Sequence, residues 1–308
     1  MKKNYAVFGN PVLHSKSPQI FNPAFEEIDI NACYIRIRPQ SVEDICRFMK
    51  AMPVSGASIT SPFKEEILNY LDHISVDAKS IGAVNTVVNI NGSLNGYNTD
   101  HAGVTESLKE AGINLKNSKC LVLGGGGAAR AAVYGLINHG AEVCICNRTF
   151  RKAQAIADNF GCEVIEWNNF NKDMMFDVVV SALLPEAIPP FFESLRFEYL
   201  LDASYKKSKV SEASNKMGVR IIPGERWLIY QAAEAFKLFL QVRPSIKAME
   251  RDLNIIDDKK NMNFLSYSLD SPTGIEGKSF DLLISSQGLD ALQEKSIIDE
   301  EISKAFGS

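Results

Sequence analysis

The fold class follows from residues 119–146, which read KCLVLGGGGAARAAVYGLINHGAEVCIC. Lys119–Leu123 is a short apolar run, four glycines come next, and Ala128–His139 has the small and apolar residues of a buried helix. Glu142–Cys146 is a second apolar run. A strand, a glycine-rich turn, a helix and another strand within about thirty residues predict a βαβ crossover between parallel strands.

Short apolar runs and helical patterns alternate on both sides of this unit. The other predicted strands are Tyr5–Phe8, Cys33–Ile37, Ala57–Ile59, Ala83–Ile90, Glu163–Ile165, Asp177–Ser181 and Tyr199–Ala203. The other predicted helices are Ser41–Met52, His101–Ala111, Phe150–Asn159 and Arg226–Val242. Asn91-Gly92 predicts a hairpin turn. This alternation predicts an α/β fold.

Composition excludes several classes of protein. The 308 residues suffice for about two domains, and the net charge of -4 leaves no basic footprint for nucleic acid. No apolar stretch approaches the roughly 18 residues that a membrane-spanning helix needs. Gly, Asn and Pro interrupt the apolar residues near the amino terminus, which argues against a signal peptide. We therefore expect a cytoplasmic protein whose partners include neither nucleic acid nor a membrane.

The six cysteines predict buried, reduced thiols. None of them has the C-x2-C spacing of a structural zinc site, so no metal is expected. Cys144 and Cys146 fall on the same face of a predicted strand, where a small buried thiol is the ordinary occupant. Reduced thiols are also what a cytoplasmic protein carries. We assign this pair to the core.

The glycine cluster matches the pattern G-x-G-x-x-A after a strand and at the start of a helix. Small residues there let the backbone turn sharply and approach a pyrophosphate, whose charge lies at the helix N-terminus. A turn needed only for packing is the alternative. The pattern predicts that a dinucleotide binds at Gly124, Gly125, Gly126, Gly127 and Ala128.

The residues after the second strand of this unit select the dinucleotide. They read Asn147-Arg148-Thr149, with Arg151 and Lys152 close behind. An acidic residue here would accept the ribose 2′-hydroxyl of NAD, whereas a guanidinium pairs with a 2′-phosphate. Cations at a helix N-terminus oppose the helix dipole, and a bound phosphate would remove that conflict. We therefore predict NADP rather than NAD.

Polar residues gather at predicted strand ends in the first hundred residues. His14–Pro18 precedes a helix, and its two serines suit a small anion. Thr60–Lys64 follows a strand, and Asn85 and Asp100 flank further strands. Each group alone is typical of helix caps and turns. Together they predict a site for an oxidisable alcohol or a reducible ketone.

In this order, the motifs resemble those of the shikimate dehydrogenase family, whose members reduce 3-dehydroshikimate to shikimate with NADPH. The resemblance extends from residue 5 to about residue 240. The matching motifs include S-K-S-P at 15–18, T-x-P-F-K at 60–64, G-A-V-N-T at 82–86, G-x-N-T-D-x-x-G at 96–103, G-G-G-G-A-A-R-A at 124–131, N-R-T at 147–149 and G-x-x-x-L-x-x-Q-A at 224–232.

The resemblance implies roles for individual side chains. The residues that would bind the substrate carboxylate are Ser15, Ser17, Thr60 and Tyr205. Those that would hydrogen-bond the ring hydroxyls are Asn85, Asp100 and Gln231. Lys64 and Asp100 would form the catalytic pair, because a cation near the reacting oxygen stabilises an alkoxide. The cofactor-binding residues would also include Ala203 and Gly224.

The resemblance further implies an N-terminal α/β substrate-binding domain and a Rossmann-type domain with a doubly wound parallel sheet for NADP, with a cleft between them. We place the first domain at 1–100, completed by a helix near 231–254, and the second at 101–230. Residues 255–308 carry ten acidic and five basic residues and form an acidic extension to which we assign no role. Leu289–Phe306 has an amphipathic helical pattern. We expect a monomer or a homodimer.

The chain departs from the family pattern at four places. Ser58 replaces the usual Asn, Ser181-Ala182-Leu183 replaces Asn-Ala-Thr, Lys207 replaces a Pro, and Trp227 replaces a Met. We expect Ser58 and Trp227 to reshape the substrate pocket or the nicotinamide wall, and the other two changes to alter loops. Two alternatives therefore stay open. One is a quinate/shikimate dehydrogenase or a related cyclohexane-carboxylate dehydrogenase, and the other is a non-catalytic NADP-binding regulator.

Overall fold

The computed structural model describes residues 3–52, 54–168, 174–253, 263–268 and 279–284. Contacts divide these residues into two units, each with its own sheet. Unit 1 comprises the described residues up to Ser75, residues 83–97 and the described residues from Ala235 onward, and unit 2 comprises residues 76–82 and the described residues between 98 and 234.

Strands and helices alternate through most of the described chain. The strands are β1 (Lys3–Phe8), β2 (Ala32–Arg38), β3 (Val54–Ile59), β4 (His73–Ile74), β5 (Thr86–Ile90), β6 (Ser93–Tyr97), β7 (Lys119–Leu123), β8 (Glu142–Cys146), β9 (Glu163–Ile165), β10 (Met175–Ser181), β11 (Arg196–Asp202), β12 (Arg220–Ile222), β13 (Asn263–Ser268) and β14 (Ser279–Ile284). The α-helices are α1 (Ser17–Glu27), α2 (Val42–Ala51), α3 (Val76–Ile81), α4 (Asp100–Glu110), α5 (Gly127–Asn138), α6 (Phe150–Phe160), α7 (Lys209–Lys216), α8 (Gly224–Leu240) and α9 (Ile246–Glu250).

Unit 1 is built on a mixed sheet with the strand order β13-β14-β2-β1-β3-β5-β6-β4. β1 lies between β2 and β3 and is parallel to both, while β5 is antiparallel to β3 and β6. The predicted hairpin joins β5 to β6, because Asn91 and Gly92 have φ values of 52° and 90°. Two successive residues with positive φ give the type I′ turn that matches the twist of a hairpin.

Aromatic rings fill the core of unit 1. Phe21 of α1 stacks on Tyr34 of β2, with 4.3 Å between the ring centroids. Tyr5 of β1 packs against Phe25 at 5.1 Å and against Phe239 at 5.0 Å. Because Phe239 lies near the end of α8, the last residues of that helix complete this core. Offset and tilted ring pairs of this kind add stability beyond the area that they bury.

Unit 2 is built on a six-stranded sheet in which every neighbouring pair is parallel. The strand order is β12-β11-β10-β7-β8-β9, so the first strand of the unit, β7, is central. Counted from β7, this order is the 3-2-1-4-5-6 arrangement of dinucleotide-binding folds. The predicted crossover is present as β7, α5 and β8, and the bounds of β7 and β8 are those predicted.

The predicted burial of the paired cysteines is confirmed. Cys144 and Cys146 lie on β8 with 9% and 0% of their surface exposed. Burial raises the pKa of each thiol to about 12, so both are protonated at neutral pH. These thiols therefore pack as small apolar groups.

The structure differs from the predicted elements in several places. The single helix predicted near 231–254 is two helices, because Gln241 has a φ of 59° and ends α8, and the Ser245 hydroxyl then caps α9. The strand predicted over Ala83–Ile90 begins only at Thr86. The elements that were not predicted are β4, β12, β13, β14, α3 and α7. The helical pattern of Leu289–Phe306 lies outside the described residues.

Candidate active site and cofactor site

The glycine turn lies at the carboxyl end of β7, in the middle of the unit 2 sheet. Successive strands are added on one side of β7 as β8 and β9, and on the other side as β10, β11 and β12, so the order reverses between β7 and β10. Parallel α/β sheets bind their ligands at such a switch point. The Gly124 N–H donates to the Cys146 carbonyl at 2.9 Å, and the Ala182 N–H donates to the Leu123 carbonyl at 2.8 Å. The turn is thus held against the ends of both β8 and β10.

Two glycines of this turn differ in what surrounds them. Gly124 has a φ of 134°, and a Cβ there would lie 3.1 Å from the Ala182 carbonyl oxygen. The backbone conformation itself therefore favours glycine at that position. Gly126 has a φ of -101°, and a Cβ there would meet no heavy atom within 4 Å. The space in front of Gly126, at the N-terminus of α5, is where a pyrophosphate would approach the backbone.

The glycine turn adjoins the residues that follow β8. A Cβ at Gly125 would lie 2.9 Å from the Asn147 side chain and 3.1 Å from the Lys152 Cβ. Arg148, Arg151 and Lys152 are exposed beside this contact. The predicted pyrophosphate site and the predicted 2′-phosphate site are therefore next to each other on one edge of the sheet.

The start of α6 has no anionic group of its own. Thr149 is the N-cap residue but makes no side-chain capping bond, and the first turn contains no acid. Arg151 and Lys152 instead place two cations at the positive end of the helix, which is unfavourable unless an anion binds there. The residues present at this edge therefore fit NADP, with its 2′-phosphate beside Arg148.

The loop after β11 carries Tyr205 and is anchored by Asp202. The Ser204 N–H donates to Asp202 Oδ1 at 3.1 Å. Asp202 Oδ2 accepts hydrogen bonds from the Ser208 hydroxyl and, at 2.8 Å, from the Ser211 hydroxyl. Asp202 has only 2% of its surface exposed, so these bonds replace its lost hydration. The half-buried Tyr205 is thus carried by a loop fixed at both ends.

The remaining predicted cofactor residues lie at the same edge of the sheet. The Ala203 N–H donates to the Ser181 carbonyl at 2.8 Å, which joins the ends of β11 and β10. A Cβ at Gly224 would lie 2.3 Å from the Asp202 carbonyl oxygen. α8 can therefore begin this close to the end of β11 only with glycine.

Asp100 and Gln231 are brought together in unit 2 through Thr99. Asp100 is the first residue of α4, and its N–H donates to Asn98 Oδ1 at 3.0 Å. The Thr99 hydroxyl donates to Gln231 Oε1 at 3.5 Å, and Gln231 Nε2 donates to the Leu228 carbonyl of α8. Asp100 and Gln231 are 6% and 8% exposed. Both polar side chains are therefore held in a largely dehydrated environment.

Ser15 and Ser17 form a hydroxyl pair at the start of α1. The Ser15 hydroxyl donates to Ser17 Oγ at 3.1 Å. The buried Arg36 of β2 supports this loop, because its Nε donates to the Ser15 carbonyl at 2.8 Å and its Nη2 to Gln19 Oε1 at 2.7 Å. A pair of hydroxyls at a helix start is suited to binding a carboxylate.

Backbone hydrogen bonds join the Thr60–Lys64 segment to the segment that carries Asn85. The Ile59 N–H donates to the Asn85 carbonyl at 2.7 Å, and the Val84 N–H donates to the Lys64 carbonyl at 2.8 Å. Asn85 is 2% exposed, and its Oδ1 accepts from the Thr86 hydroxyl at 3.0 Å. Unit 1 therefore holds Thr60, Lys64 and Asn85 in one connected framework.

Comparison with protein families tests the sequence-based assignment. Residues 7–87 match the model of the shikimate dehydrogenase substrate binding domain, and residues 106–197 match the model of shikimate / quinate 5-dehydrogenase. The two matches together cover more than half of the chain. The chain belongs to the shikimate dehydrogenase family.

Several members of this family are similar over most of the chain. Shikimate dehydrogenase (NADP(+)) of Caldanaerobacter subterraneus is 36% identical over 255 residues, which are 77% of this chain and 91% of the relative. The crystal structure of the Aquifex aeolicus shikimate dehydrogenase superposes with a TM-score of 0.76 at 33% identity, covering 82% of this chain and 98% of that one. The Thermus thermophilus enzyme in complex with NADP(H) and shikimate gives a TM-score of 0.75, with the same identity and coverage.

The family assignment and the α/β fold class, with an N-terminal substrate-binding domain and a Rossmann-type domain, are thereby confirmed.

Two of the departures from the family pattern, Trp227 and Ser58, lie in well-packed places. Trp227 is 4% exposed and packs on α4, since a Cβ at Gly103 would lie 2.5 Å from its Cδ1. Ser58 is 7% exposed. Their predicted effects on the substrate pocket and the nicotinamide wall stay predictions.

Sequence reasoning missed two residues that support the family's site. Asp202 fixes the loop that carries Tyr205, and Arg36 holds the carbonyl of Ser15. The available signal was a charged residue inside or at the end of an otherwise apolar strand, because such a residue is buried only with hydrogen-bond partners. The signal alone does not indicate which loop the partner comes from.

Proposed function

We propose that this chain is an NADP-dependent dehydrogenase that catalyses the reversible reduction of 3-dehydroshikimate to shikimate, a step of chorismate and aromatic amino acid biosynthesis. The observation that carries the proposal is the placement of the family motifs in the fold. Ser15 precedes α1 and Ser17 begins it, the T-x-P-F-K segment follows β3, the N-T-D segment leads into α4, and the glycine turn follows β7. Family membership over both units supports it.

NADP is the cofactor in this proposal. The glycine turn at 124–127 and Ala128 hold the pyrophosphate, and the residues after β8 hold the 2′-phosphate. Ala203 and Gly224 flank the same edge of the sheet. When bound, NADP exchanges a hydride with the carbinol carbon of the substrate.

The substrate residues bind by charge and hydrogen bonding. Ser15, Ser17, Thr60 and Tyr205 donate hydrogen bonds to the carboxylate, while Asn85, Asp100 and Gln231 bind ring hydroxyls. Lys64 donates a hydrogen bond to the reacting oxygen and stabilises the charge that develops there when the hydroxyl proton leaves. Asp100 accepts a hydrogen bond from a substrate hydroxyl and fixes the orientation of the ring.

The proposal also includes the cellular location and the oligomeric state of the enzyme. Among the described residues, no helix has the length and the hydrophobicity to cross a bilayer. We place the enzyme in the cytoplasm, acting on a small molecule as a monomer or a homodimer, with neither nucleic acid nor membrane as a partner. Buried protonated thiols such as Cys120, Cys144 and Cys146 suit a reducing compartment.

Gly126→Ser is expected to weaken NADP binding while leaving the free protein stable. Serine is a favourable N-cap residue, and a Cβ at this position meets no heavy atom within 4 Å, but the added side chain occupies the space that the pyrophosphate needs. We expect the Kd for NADP to rise at least about tenfold, which corresponds to about 1.4 kcal/mol. Calorimetric titration and thermal unfolding measure the two quantities.

Gly124→Ser is the contrasting variant. Its φ of 134° and its contact with Ala182 require glycine in the free protein, so this change should lower the melting temperature. An unaltered NADP affinity in Gly126→Ser would contradict the proposed cofactor site.

Arg148→Ala is expected to reduce the preference for NADP over NAD. A hydrogen bond to a charged group contributes about 1.5–3 kcal/mol, so the KM for NADP should rise about tenfold to hundredfold. The KM for NAD, which lacks the 2′-phosphate, should change little. Arg196→Ala is the matched control, because this exposed arginine begins β11 at the opposite edge of the sheet. Equal changes with both cofactors in Arg148→Ala would argue against the phosphate contact.

The proposal and its alternatives are separated by initial rates with shikimate or quinate, each paired with NADP or NAD. We expect the fastest turnover with shikimate and NADP. A preference for quinate would indicate the quinate/shikimate alternative, which the name of the second matching family model also covers. Thermal stabilisation by NADP without turnover of either acid would indicate the non-catalytic regulator.

A further inference from the structure

Tyr34 is a buried tyrosine in unit 1 that the proposed reaction does not use. It lies on β2 with 2% of its surface exposed, and its ring stacks on Phe21 of α1. Burial raises the pKa of its hydroxyl, so the group stays protonated. A buried hydroxyl needs hydrogen-bond partners. The partners of the Tyr34 hydroxyl indicate which segments of the chain it holds in place.

The Tyr34 side chain joins two separate segments of the chain. Its hydroxyl donates to Ser58 Oγ at 2.6 Å and accepts from the Ser58 N–H at 3.1 Å. Its ring stacks on Phe21, which lies about one helical turn after Ser17 on α1. Ser58 belongs to β3, two residues before Thr60. One side chain therefore connects the two segments that carry the proposed carboxylate-binding residues.

The two serines hold each other at this end of α1. The Ser15 hydroxyl donates to Ser17 Oγ at 3.1 Å, and the Ser17 N–H donates to Ser15 Oγ at 3.4 Å. Arg36, two positions after Tyr34 on β2, donates from its Nε to the carbonyl of Ser15. Residues two apart on a strand lie on the same face, so one face of β2 supports this segment through both Tyr34 and Arg36.

We propose that Tyr34 is a positioning residue for the substrate carboxylate. Its ring contacts α1 and its hydroxyl binds β3, so together they fix the spacing between the start of α1 and the end of β3. Tyr34 acts through these two contacts rather than on the reacting atoms. This inference rests on the proposed function, because it takes Ser15, Ser17 and Thr60 as the carboxylate site.

The test compares Tyr34→Phe, Ser17→Ala and the double variant in steady-state assays. Phenylalanine keeps the stacking on Phe21 and removes only the hydroxyl. We expect Tyr34→Phe to raise the KM for shikimate about tenfold, with kcat and the KM for NADP nearly unchanged, because a lost binding interaction far from the reacting bond acts on KM. In the Ser17→Ala background, the same change should raise KM less than about threefold, because the effect of Tyr34 on binding passes through the placement of the Ser17 hydroxyl, and residues that act on one site couple.

Two further variants make the outcome decisive. Tyr5→Phe removes a hydroxyl from the equally buried Tyr5, which packs on Phe25 from the neighbouring strand, and it should leave the KM for shikimate unchanged. Ser58→Ala removes the acceptor of the Tyr34 hydroxyl and should raise that KM in the same way. If Tyr34→Phe does not fold, the KM of Ser58→Ala tests the proposal in its place.

An unchanged KM in Tyr34→Phe and Ser58→Ala would overturn the role of Tyr34, as would an equal rise in Tyr5→Phe. Independent, multiplying effects of Tyr34→Phe and Ser17→Ala would overturn it as well. A wild-type enzyme that does not turn over shikimate would refute the proposed function itself, and the inference with it. The wild-type assay therefore separates the two failures.

Discussion

Lys64→Ala is expected to lower kcat for shikimate oxidation about 10³-fold, the scale that proton transfer and electrostatic stabilisation of a developing charge contribute. An alcohol that becomes a ketone loses its hydroxyl proton, and the negative charge on that oxygen is most costly in the transition state. Lys64 is half-buried, so its side chain is only partly hydrated, and charges interact more strongly there than in bulk water. The KM for shikimate should change only a few-fold, because this interaction is strongest in the transition state.

Two variants define what Lys64 contributes. Lys64→Arg keeps a positive charge but presents a planar guanidinium that stays protonated and does not donate its proton near neutral pH. It should restore part of the rate if charge alone matters, and almost none if Lys64 transfers the proton. Lys50→Ala removes an exposed lysine of α2 that pairs with Asp72 at 3.5 Å and should leave kcat unchanged. Weaker shikimate binding with unaltered kcat in Lys64→Ala would contradict the catalytic assignment.

Asp100→Asn is expected to lower kcat about 10²- to 10³-fold, because the loss of one charged or oriented group at the reacting centre has this scale. Asparagine has nearly the same shape, and the bond from the residue 100 N–H to Asn98 persists. The fold should therefore be kept. The measurement is kcat with saturating shikimate and NADP, together with the melting temperature.

Asp77→Asn is the matched control for Asp100→Asn. Asp77 also lies in the first turn of its helix, α3, and its carboxylate accepts a hydrogen bond from the Tyr134 hydroxyl. Both substitutions remove a negative charge that favours a helix N-terminus, at a cost of about 0.3–1 kcal/mol. A similar fall of kcat in both variants would show that the Asp100 effect arises from helix stability rather than from the substrate.

The local parts of the fold could be predicted because their signals lie within short stretches of sequence. The strands β7, β8 and β9 have the predicted bounds, since each is a short apolar run next to a glycine-containing turn. The pairing of β14 with β2 could not be predicted, because it joins residues more than 240 positions apart. The helix predicted at Arg226–Val242 corresponds to α8, but the helix placed near 231–254 is interrupted, because Gln241 adopts a positive φ that glutamine seldom takes.

The motifs that form the site could be predicted from the sequence, but the residues that hold those motifs in place could not. Serines, threonines and glycines at strand ends are visible in the sequence, and the family resemblance assigns them roles. The bond from the Ser211 hydroxyl to Asp202 and the bond from Tyr34 to Ser58 depend on segments that meet only in the folded chain. A serine hydroxyl has many acceptors to choose from, so sequence alone does not select its partner.

The most direct test of the central claim is the initial rate of NADP reduction by the wild-type protein with shikimate, followed at the absorbance of the reduced nicotinamide, with the acid product identified by mass spectrometry. We expect NADPH and 3-dehydroshikimate to form in equal amounts. Absence of both products, from a protein that NADP stabilises against heat, would contradict the assignment as a shikimate dehydrogenase.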